Sequence, residues 1–374
     1  MSERSGVLGL SEEQAALLES ASKYCEDKSS IDQVRKLIDD ETGYDPQVYE
    51  EMAHFGWLGI AIPEAYGGAG LALAEVVPVV EQMGRRLMSG PFVPATLFAQ
   101  ALIESGTEEQ KKTVLPHLVD GKPATILFAE PQSDFDGFNL GCQARRQDGD
   151  IILEGTKCLA LDAHRAQWAV VSAILDDRPA LLLLDRPALD ACTMRREVVI
   201  DETRRAFRLE LEGVRVSETS LLDPDKALAA IRRVELAGAL MAAADMCGAG
   251  QSCIDYTVSY LNARKQFGRP IGSYQALKHT TVHAHVQLEQ ARSHLYSAAH
   301  LFEDADGGEV AVRMAKAAAG PALAFAADRS IQFHGGYGFT YECDAQLYRR
   351  RAIWGEAQYG DALYQRRKLA DLIF

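Results

Sequence analysis

The sequence contains little cysteine, 7 residues in 374, and none of them forms a Cys-x-x-Cys pair. A disulfide framework of the kind found in secreted domains is therefore not predicted, and a reducing cytoplasm is the expected location. The chain also lacks a run of about 18 uninterrupted apolar residues, so we predict no membrane span. Its start, MSERSGVLGL, has no long apolar run behind a basic segment, so we expect no signal peptide.

Positive charge is also scarce. Lys and Arg total 39 against 53 Asp and Glu, which gives a net charge of −14. A general nucleic-acid binder needs a basic surface, so this class of protein is not expected. Hydrophobic residues make up 47% and charged residues 25%, which is typical of a globular protein. At about 150 residues per domain, the length predicts two or three domains.

Three regions of different pattern divide the chain. Residues 1–122 and 224–374 show helical spacing of apolar residues, whereas 123–223 contains short apolar runs separated by turn residues. This order predicts an α+β protein in which a small β-sheet or barrel lies between two helical domains. In the last region we predict helices at about 225–263, 273–303, 308–333 and 357–371.

The run from Arg264 to Gly272, followed by Gln275, combines an arginine with an amide, an aromatic residue and glycines. A guanidinium group offers a fixed fork of donors to phosphate oxygens. Glycine lets a ligand approach the backbone closely. The run is therefore a candidate phosphate clamp, and a polar turn between two helices is the alternative.

A second glycine-rich run, Gln332–Phe339, follows a long predicted helix. The pair Gly335-Gly336 can present backbone N–H groups to an anion. The run does not match Gly-x-Gly-x-x-Gly and does not follow a strand, so it is not a dinucleotide-binding fingerprint. A simple helix C-cap is the alternative.

A metal site is not predicted. His279 and His283 are four residues apart and share a helix face, but the Glu of His-Glu-x-x-His is missing and no third ligand is evident. The basic clusters Arg349–Arg351 and Arg366–Lys368 are expected to pair with nearby acids in so acidic a chain.

Five motifs together resemble those of the acyl-CoA dehydrogenase family, and they occur in that family's order over nearly the whole chain. They are Ile62–Gly68, Ala129-Glu130-Pro131, Gly155-Thr156-Lys157, Arg264–Gly268 and Gln332–Phe339. The resemblance implies an N-terminal helical domain, a small central β-barrel or sheet domain and a C-terminal four-helix bundle. On this sequence we place these domains at 1–122, 123–223 and 224–374.

The resemblance implies the removal of two hydrogens across the Cα–Cβ bond of an acyl-CoA, with FAD as the cofactor. In the family a carboxylate takes the α-proton and flavin N5 takes the β-hydride. The implied partners are the acyl-CoA substrate and an electron-transfer flavoprotein or an equivalent acceptor. Cofactor sites shared between subunits imply a homo- or hetero-oligomer, a dimer or a tetramer.

The resemblance also assigns FAD contacts. Positions matching Phe128 and Ala129 lie on the strand that touches the flavin ring. The positions that reach the FAD of a neighbouring subunit are Arg264, Gln266, Phe267, Gln275, Gln332, Gly335 and Gly336.

The segment after Lys157 departs from the family pattern. Where the family often has an aromatic residue and a hydroxyl that contact the flavin, this sequence has Leu159-Ala160-Leu161-Asp162. The change resembles a bacterial subgroup of the family that includes heteromeric members.

The catalytic base is the second departure. Counting forward from Gly335 places Tyr359 at the usual base position, and counting back from Arg264 places Gly238 at the position that a minority of members use. Neither residue is a carboxylate, and a phenol with an ordinary pKa near 10 is a poor base. The nearby carboxylates Glu235 and Asp361 are the candidate displaced bases. A shift of one helical turn moves a group by about 5 Å, more than the reacting geometry tolerates.

Three interpretations stay open. The chain is a base-lacking subunit that works with a related catalytic subunit, as in heteromeric members acting on CoA thioesters of steroid side chains or dicarboxylates. Alternatively, it is an active homo-oligomer with Asp361 or Glu235 as a displaced base. The third interpretation is a flavin monooxygenase on the same fold, which needs no base for the α-proton.

Overall fold

The computed structural model describes residues 10–132 and 139–374, so the N-terminal residues on which the signal-peptide expectation rests lie outside it. Within the described part, helices come first. They are α1 (Glu12–Lys28), α2 (Ile31–Asp39), α3 (Pro46–His54), α4 (Leu73–Arg85), α5 (Phe92–Ser105) and α6 (Glu108–Val119).

The first helices begin at residues whose chemistry predicts a helix start. Ser11 Oγ accepts a hydrogen bond from the Gln14 backbone N–H at 3.1 Å, and the Gln14 side chain accepts one from the Ser11 backbone N–H. This reciprocal pair satisfies two backbone donors that the helix leaves without partners. Pro46 takes the first position of α3 behind the capping residue Asp45, where its missing N–H costs nothing.

The central region is built from strands. Its elements are β1 (Ala124–Leu127), β2 (Gln143–Gln147), β3 (Asp150–Glu154), β4 (Thr156–Leu161), β5 (Trp168–Leu175), β6 (Arg178–Asp185), the short helix α7 (Arg186–Ala191), β7 (Thr193–Glu197), β8 (Ala206–Glu210) and β9 (Val214–Ser217). One sheet has the order β1-β5-β2-β3-β9, with β6 added beside β5, and β4-β8-β7 form a second sheet. A second hydrophobic cluster, separate from that of the helices, fills the space between them.

The last region contains α8 (Ala227–Ala263), the two-residue strands β10 (Lys265–Gln266) and β11 (Arg269–Pro270), α9 (Gln275–Leu301), α10 (Gly308–His334), α11 (Ala345–Ala357) and α12 (Ala362–Ile373). The 37-residue α8 is about 55 Å long. It packs against α4 and α5 on one side and against α9 and α10 on the other, so one hydrophobic cluster joins both helical regions. The predicted α+β fold class is confirmed, and the domain limits stay a prediction.

The predicted final helix at 357–371 is present as α12, but it begins later, at Ala362. α11 ends at Ala357, and a turn at Gln358–Asp361 separates it from α12. Tyr359 and Gly360 both have left-handed backbones, with φ of 52° and 90°, and this breaks the helical path. Glycine adopts this conformation freely, whereas a tyrosine does so only when its surroundings hold it.

The segment Gly308–Phe339 is long and apolar enough, by length and composition, to cross a membrane. However, 61% of its most apolar window is buried inside the protein, where it packs between α8 and α9. This is the pattern of a core helix, and the cytoplasmic location stays a prediction.

A buried ionic network joins three parts of the fold. Arg351 on α11 is fully buried and donates to Asp201 in the β7–β8 loop and, at 2.7 Å, to Asp245 on α8. Its remaining donors reach the Thr203 hydroxyl at 2.9 Å and the Leu87 carbonyl at 3.5 Å. Although burial opposes it, the Arg351 guanidinium lowers the pKa of Asp201. Each buried charge is therefore both paired and hydrogen-bonded.

We expect Arg351→Met to reduce the free energy of unfolding by about 3–5 kcal/mol, because Asp201 and Asp245 lose the buried cation between them and Arg204, at 4.0 and 2.8 Å, has to serve both. Urea unfolding measures this loss. The matched control is Arg350→Met, which breaks a 3.2 Å ion pair with Glu202 between partly exposed side chains and is expected to cost no more than about 1 kcal/mol. Equal losses in the two variants would contradict the role given to the network.

Candidate active site

A cavity of about 420 Å³ lies where β1, β4, α5, α8 and the turn after α11 meet. Most of its wall is apolar. The lining residues include Val93 and Leu97 of α5, Phe128 and Ala129 after β1, Cys158, Leu159 and Leu161 of β4, Ile231, Val234 and Glu235 of α8, and Tyr359. The structure thus brings the two predicted flavin-ring contacts, Phe128 and Ala129, into one cavity with a predicted base position.

Gly238 and Tyr359 lie against each other. A Cβ atom added at position 238 would stand 2.3 Å from Cε1 and 2.4 Å from Cζ of Tyr359, closer than real Cβ atoms approach any heavy atom. The tyrosine ring therefore occupies the space that a side chain at position 238 would need. Two positions counted independently along the sequence converge on one place, and neither brings a carboxylate to it.

The hydroxyl group of Tyr359 can act as a hydrogen-bond donor but not as a base. Burial raises the pKa of Tyr359 above its ordinary value, so the hydroxyl stays protonated at neutral pH. A protonated phenol can donate a hydrogen bond, but it cannot remove the α-proton of a thioester.

Glu235 lines the same cavity, but its oxygens are already engaged. Oε1 accepts hydrogen bonds from Arg313 and from the Tyr364 hydroxyl, each at 3.2 Å, and Oε2 accepts one from Arg232 at 2.9 Å. The residue is only 7% exposed. Proton uptake by Glu235 would remove one of the two carboxylates that pair with Arg232 and Arg313, the other being Glu309. Glu235 therefore serves to join α8, α10 and α12.

Asp361, the other candidate base, caps a helix. Its Oδ1 accepts a hydrogen bond from the Tyr364 backbone N–H at 2.7 Å, at the start of α12. Asp361 is absent from the described residues that line the cavity. Its neighbour Glu356 also points to this helix start, where Oε1 accepts a bond from the Ala362 N–H at 3.1 Å.

The departure after Lys157 takes the form of a bulge in β4. The pairing with β8 shifts between Lys157 and Ala160, and Leu159 has a left-handed backbone with φ of 52°. A bulge of this kind redirects a side chain, and here Leu159 faces the cavity. The buried residue after the strand, Asp162, has its pKa raised to about 7 by burial.

Sequence reasoning matched Glu130 and Lys157 only as parts of family motifs, and the structure joins them as an ion pair at the cavity edge. The fully buried Lys157 Nζ lies 2.6 Å from Glu130 Oε1 and 3.0 Å from Ser172 Oγ. Although burial opposes it, the Lys157 ammonium lowers the pKa of Glu130. Glu130 also accepts backbone hydrogen bonds from Gly141 and Cys142, so the pair fixes the chain on both sides of the cavity mouth.

The Arg264 run forms a small exposed hairpin between α8 and α9. Phe267 and Gly268 occupy its tip with left-handed backbones, φ 52° and 81°, which suits a tight two-residue turn. Phe267 is 92% exposed, an unusual place for a phenylalanine unless another surface covers it. Arg264 is exposed and has no ion-pair partner among residues 10–132 and 139–374. Gln266 and Gln275 are exposed beside it.

The second predicted clamp lies at the same end of the bundle. His334 at the end of α10 stacks on Tyr260 and Tyr256 of α8, with ring centroids 4.1 and 4.8 Å apart. Tyr260 is one helical turn before Arg264. The structure therefore brings the two separate runs together, although neither the Arg264 hairpin nor the Gln332–Gly336 segment lines the cavity described above.

The glycine turn after α10 is open. A Cβ atom added at Gly335 or Gly336 meets no heavy atom within 4 Å, and Gln332 is exposed beside them. An arginine with no ion-pair partner among the described residues and exposed amides form a donor set that fits the phosphates of a dinucleotide. The Gly335 N–H itself donates to the Gln332 carbonyl, so the glycines contribute room for a close approach to the backbone.

The helix–sheet–helix architecture and this pair of sites define a class of flavin-dependent enzymes, and comparison with known proteins identifies the family. Residues 11–122 match the model for the acyl-CoA dehydrogenase N-terminal domain, and residues 232–373 match that for the C-terminal domain. The chain is 30% identical to acyl-CoA dehydrogenase IpdE2 of Mycolicibacterium smegmatis over 98% of its length and all of that protein.

Solved structures agree. The structure of a variant of the Tcur3481-Tcur3483 steroid ACAD is similar with a TM-score of 0.85 at 29% identity, covering 97% of this chain and 98% of that one. Butyryl-CoA dehydrogenase from Megasphaera elsdenii shares the fold, with a TM-score of 0.88 at 22% identity over 97% and 98% of the two chains. This chain belongs to the acyl-CoA dehydrogenase family and is an oxidoreductase of that family, in which FAD is the implied cofactor.

We expect Gly238→Ala to reduce the free energy of unfolding by about 1–3 kcal/mol, because the new methyl group overlaps the Tyr359 ring. In a Tyr359→Ala background the same change should become neutral or stabilising by up to about 1 kcal/mol, since alanine is the better helix former. The double-mutant cycle is measured by urea unfolding.

The control for this cycle is Gly336→Ala, whose added Cβ meets no neighbour within 4 Å. It should give the same small effect in both backgrounds. A Gly238→Ala effect that does not depend on residue 359 would show that the two positions are not in contact.

Proposed function

We propose that this chain is a subunit of an FAD-dependent dehydrogenase that removes two hydrogens across the Cα–Cβ bond of an acyl-CoA thioester, and that a related subunit supplies the catalytic base. The contact between Gly238 and Tyr359 carries the proposal. It fills the place of the base with a phenyl ring and a hydroxyl that stays protonated. The chain keeps the family's other parts, namely the cavity, the Arg264 hairpin and the glycine turn.

In this proposal Arg264, Gln266 and Phe267 of the hairpin, with Gln275, hold the phosphate and adenosine part of FAD in a neighbouring subunit. The glycine turn contributes Gln332, Gly335 and Gly336 to the same FAD. When bound, FAD supplies a hydride acceptor at N5. Arg264 neutralises phosphate charge, and the two glycines leave room for the cofactor to approach the backbone.

In the cavity, Phe128 and Ala129 form the backbone edge beside the flavin ring, and Leu159 takes the place of the family's aromatic residue. The apolar residues Val93, Leu97 and Ile231 exclude water from the acyl group. A dry cavity strengthens every charge interaction within it. The base of the partner subunit, which lies in the partner's cavity in this proposal, gains the same strengthening.

A displaced base is the second candidate mechanism, because Glu235 does line the cavity. Three hydrogen-bond donors occupy its oxygens, however, and Asp361 is committed to the start of α12. Glu235 is held by two arginines and a tyrosine, and Asp361 is not among the described residues that line the cavity, so these contacts favour the base-lacking interpretation.

The partner we propose is a second chain of the same family that carries a glutamate at one of the two base positions. The similar Tcur3481-Tcur3483 steroid ACAD is named for two components, which supports a heteromeric assembly. The exposed side chain of Phe267 also supports an oligomer in which another subunit covers the hairpin. We infer a dimer or tetramer in which each cofactor is shared, with an electron-transfer flavoprotein or an equivalent acceptor reoxidising FAD.

Arg264→Ala should weaken FAD binding about 10- to 150-fold, since a charge-assisted hydrogen bond contributes roughly 1.5–3 kcal/mol. Fluorescence titration of FAD into the deflavinated assembly measures the change. Lys265→Ala is the matched control, because it removes the same charge from the adjacent residue of the same hairpin. Loss of surface charge alone should change the FAD affinity by no more than about twofold. Unchanged FAD affinity in Arg264→Ala would remove that residue from the clamp.

The chain alone should reduce a redox dye with acyl-CoA about 10²- to 10⁴-fold more slowly than the chain co-expressed with its partner, because it lacks the general base. The assay uses fatty acyl-, branched, dicarboxyl- and steroid-side-chain CoA thioesters.

Two outcomes of this assay would overturn the proposal. Rapid turnover by the chain alone that Asp361→Asn or Glu235→Gln abolishes would identify a displaced base. If no combination oxidises a thioester but the NAD(P)H-reduced flavin consumes oxygen, the monooxygenase interpretation holds instead.

A further inference from the structure

One lysine lies buried beside the turn that carries Tyr359. Lys316 on α10 is fully buried, and its Nζ donates to the Gly360 carbonyl at 2.9 Å and to the Glu356 carbonyl at 3.2 Å. Within the residues that the structure describes, no carboxylate oxygen lies within 4.0 Å of it to form an ion pair. Lysine is rarely buried without a paired charge, so this position needs an explanation.

The two carbonyls are those that the end of a helix leaves open. Glu356 belongs to the last turn of α11, whose final carbonyls have no partner within the helix and carry partial negative charge. Gly360 lies within the turn that follows. The ammonium group of Lys316 thus bridges the end of α11 to the residue directly after Tyr359.

The carbonyl between these two is held as well. Gln365 on α12 donates from Nε2 to the Tyr359 carbonyl at 2.5 Å, and its Oε1 accepts a hydrogen bond from Arg313 at 2.7 Å. Arg313 lies one turn before Lys316 on α10 and is also fully buried. One face of α10 therefore holds the carbonyls of residues 356, 359 and 360, directly or through Gln365.

This support has a physical purpose, because the turn is strained. A left-handed backbone is unfavourable for a tyrosine and persists only where the surroundings fix it. Without that support Tyr359 would relax to an ordinary backbone conformation, and its side chain would leave the contact with Gly238. The Lys316 bonds therefore set where the side chain at position 359 points.

Direct chemistry by Lys316 is not supported. It is not one of the described residues that line the cavity, so its amine has no path to a substrate there. Burial lowers the pKa of Lys316 to about 8, against the opposing influence of Glu356 and Asp361. The amine therefore stays largely protonated at neutral pH, and its protons bind the two carbonyls.

We propose that Lys316, together with Gln365, is the positioning residue for the side chain at position 359. The proposal rests on the proposed function, which assigns position 359 to the place of the family's base. The position of the Tyr359 side chain can be tested without substrate, partner or turnover.

The experiment labels the 13 tyrosines of the full chain with 3-fluorotyrosine and records ¹⁹F NMR spectra. The Tyr359 resonance is the one missing from Tyr359→Phe. In Lys316→Met we expect this resonance to shift or split, because the turn gains a second conformation, while the resonance of Tyr296, buried between α9 and α4, keeps its position.

Gln365→Leu is the second variant, and it should move the Tyr359 resonance in the same way. It keeps the test decisive if Lys316→Met does not fold. The matched control is Leu323→Ala, a change at a fully buried residue of the same helix. It removes buried apolar contacts and so destabilises the core, but it should leave the Tyr359 resonance in place.

An unchanged Tyr359 resonance in folded Lys316→Met, or the same shift in Leu323→Ala, would overturn the proposal. Neither result would bear on acyl-CoA chemistry. Conversely, dehydrogenase activity of the chain alone would contradict the base-lacking assignment but would leave the positioning role of Lys316 intact. Failure of the proposed function and failure of the positioning role are therefore distinguishable.

Discussion

The fold depends on the ionic network around Arg351. A fully buried guanidinium group is stable only when each of its donors has a partner, and these partners come from the β7–β8 loop, from α8 and from the end of α4. Satisfying one residue therefore fixes three regions relative to one another. Arg204 strengthens the joint through a second bond to Asp245 at 2.8 Å. Two of the connected elements also border the candidate cavity: α8 contributes part of its wall, and the turn that follows α11 closes one side.

A neighbouring arginine extends the same principle to the N-terminal helices. Arg205 donates to the carbonyls of Leu37, Ile38 and Asp40, the open end of α2. A cation at the negative end of a helix is favourable, and here it joins the central sheets to the first helical region. Two adjacent arginines thus connect the β7–β8 loop to two helical elements, Arg204 to α8 and Arg205 to the end of α2.

Much of this arrangement follows from the sequence. Apolar spacing predicted the long helices because α4, α5, α8 and α10 bury continuous stripes. Ungapped counting also predicted that Gly238 and Tyr359 occupy the base positions. The contact between them was not predictable, since 121 positions separate them and only packing of α10 against α8 and α11 brings them together.

Other features were not predicted because their sequence signals are weak or because they depend on residues far apart in the chain. The turn at Tyr359 interrupts a stretch with helical composition, and the buried contacts that it makes with Lys316 and Gln365 leave no signal in the sequence. The strand β7, Thr-Met-Arg-Arg-Glu, lacks the alternation that marks a half-buried strand. The engagement of Glu235 depends on Arg313, which lies 78 residues away.

The contact between Gly238 and Tyr359 also constrains how such a chain can change over evolutionary time. A glutamate at position 238 alone would collide with the ring, and a glutamate at position 359 alone would leave a gap beside the glycine and lose the ring's packing. Each residue makes a glutamate at the other position unfavourable. In a base-lacking subunit of the kind proposed, gain of a base would therefore pass through a destabilised intermediate, and dependence on a partner would be difficult to reverse.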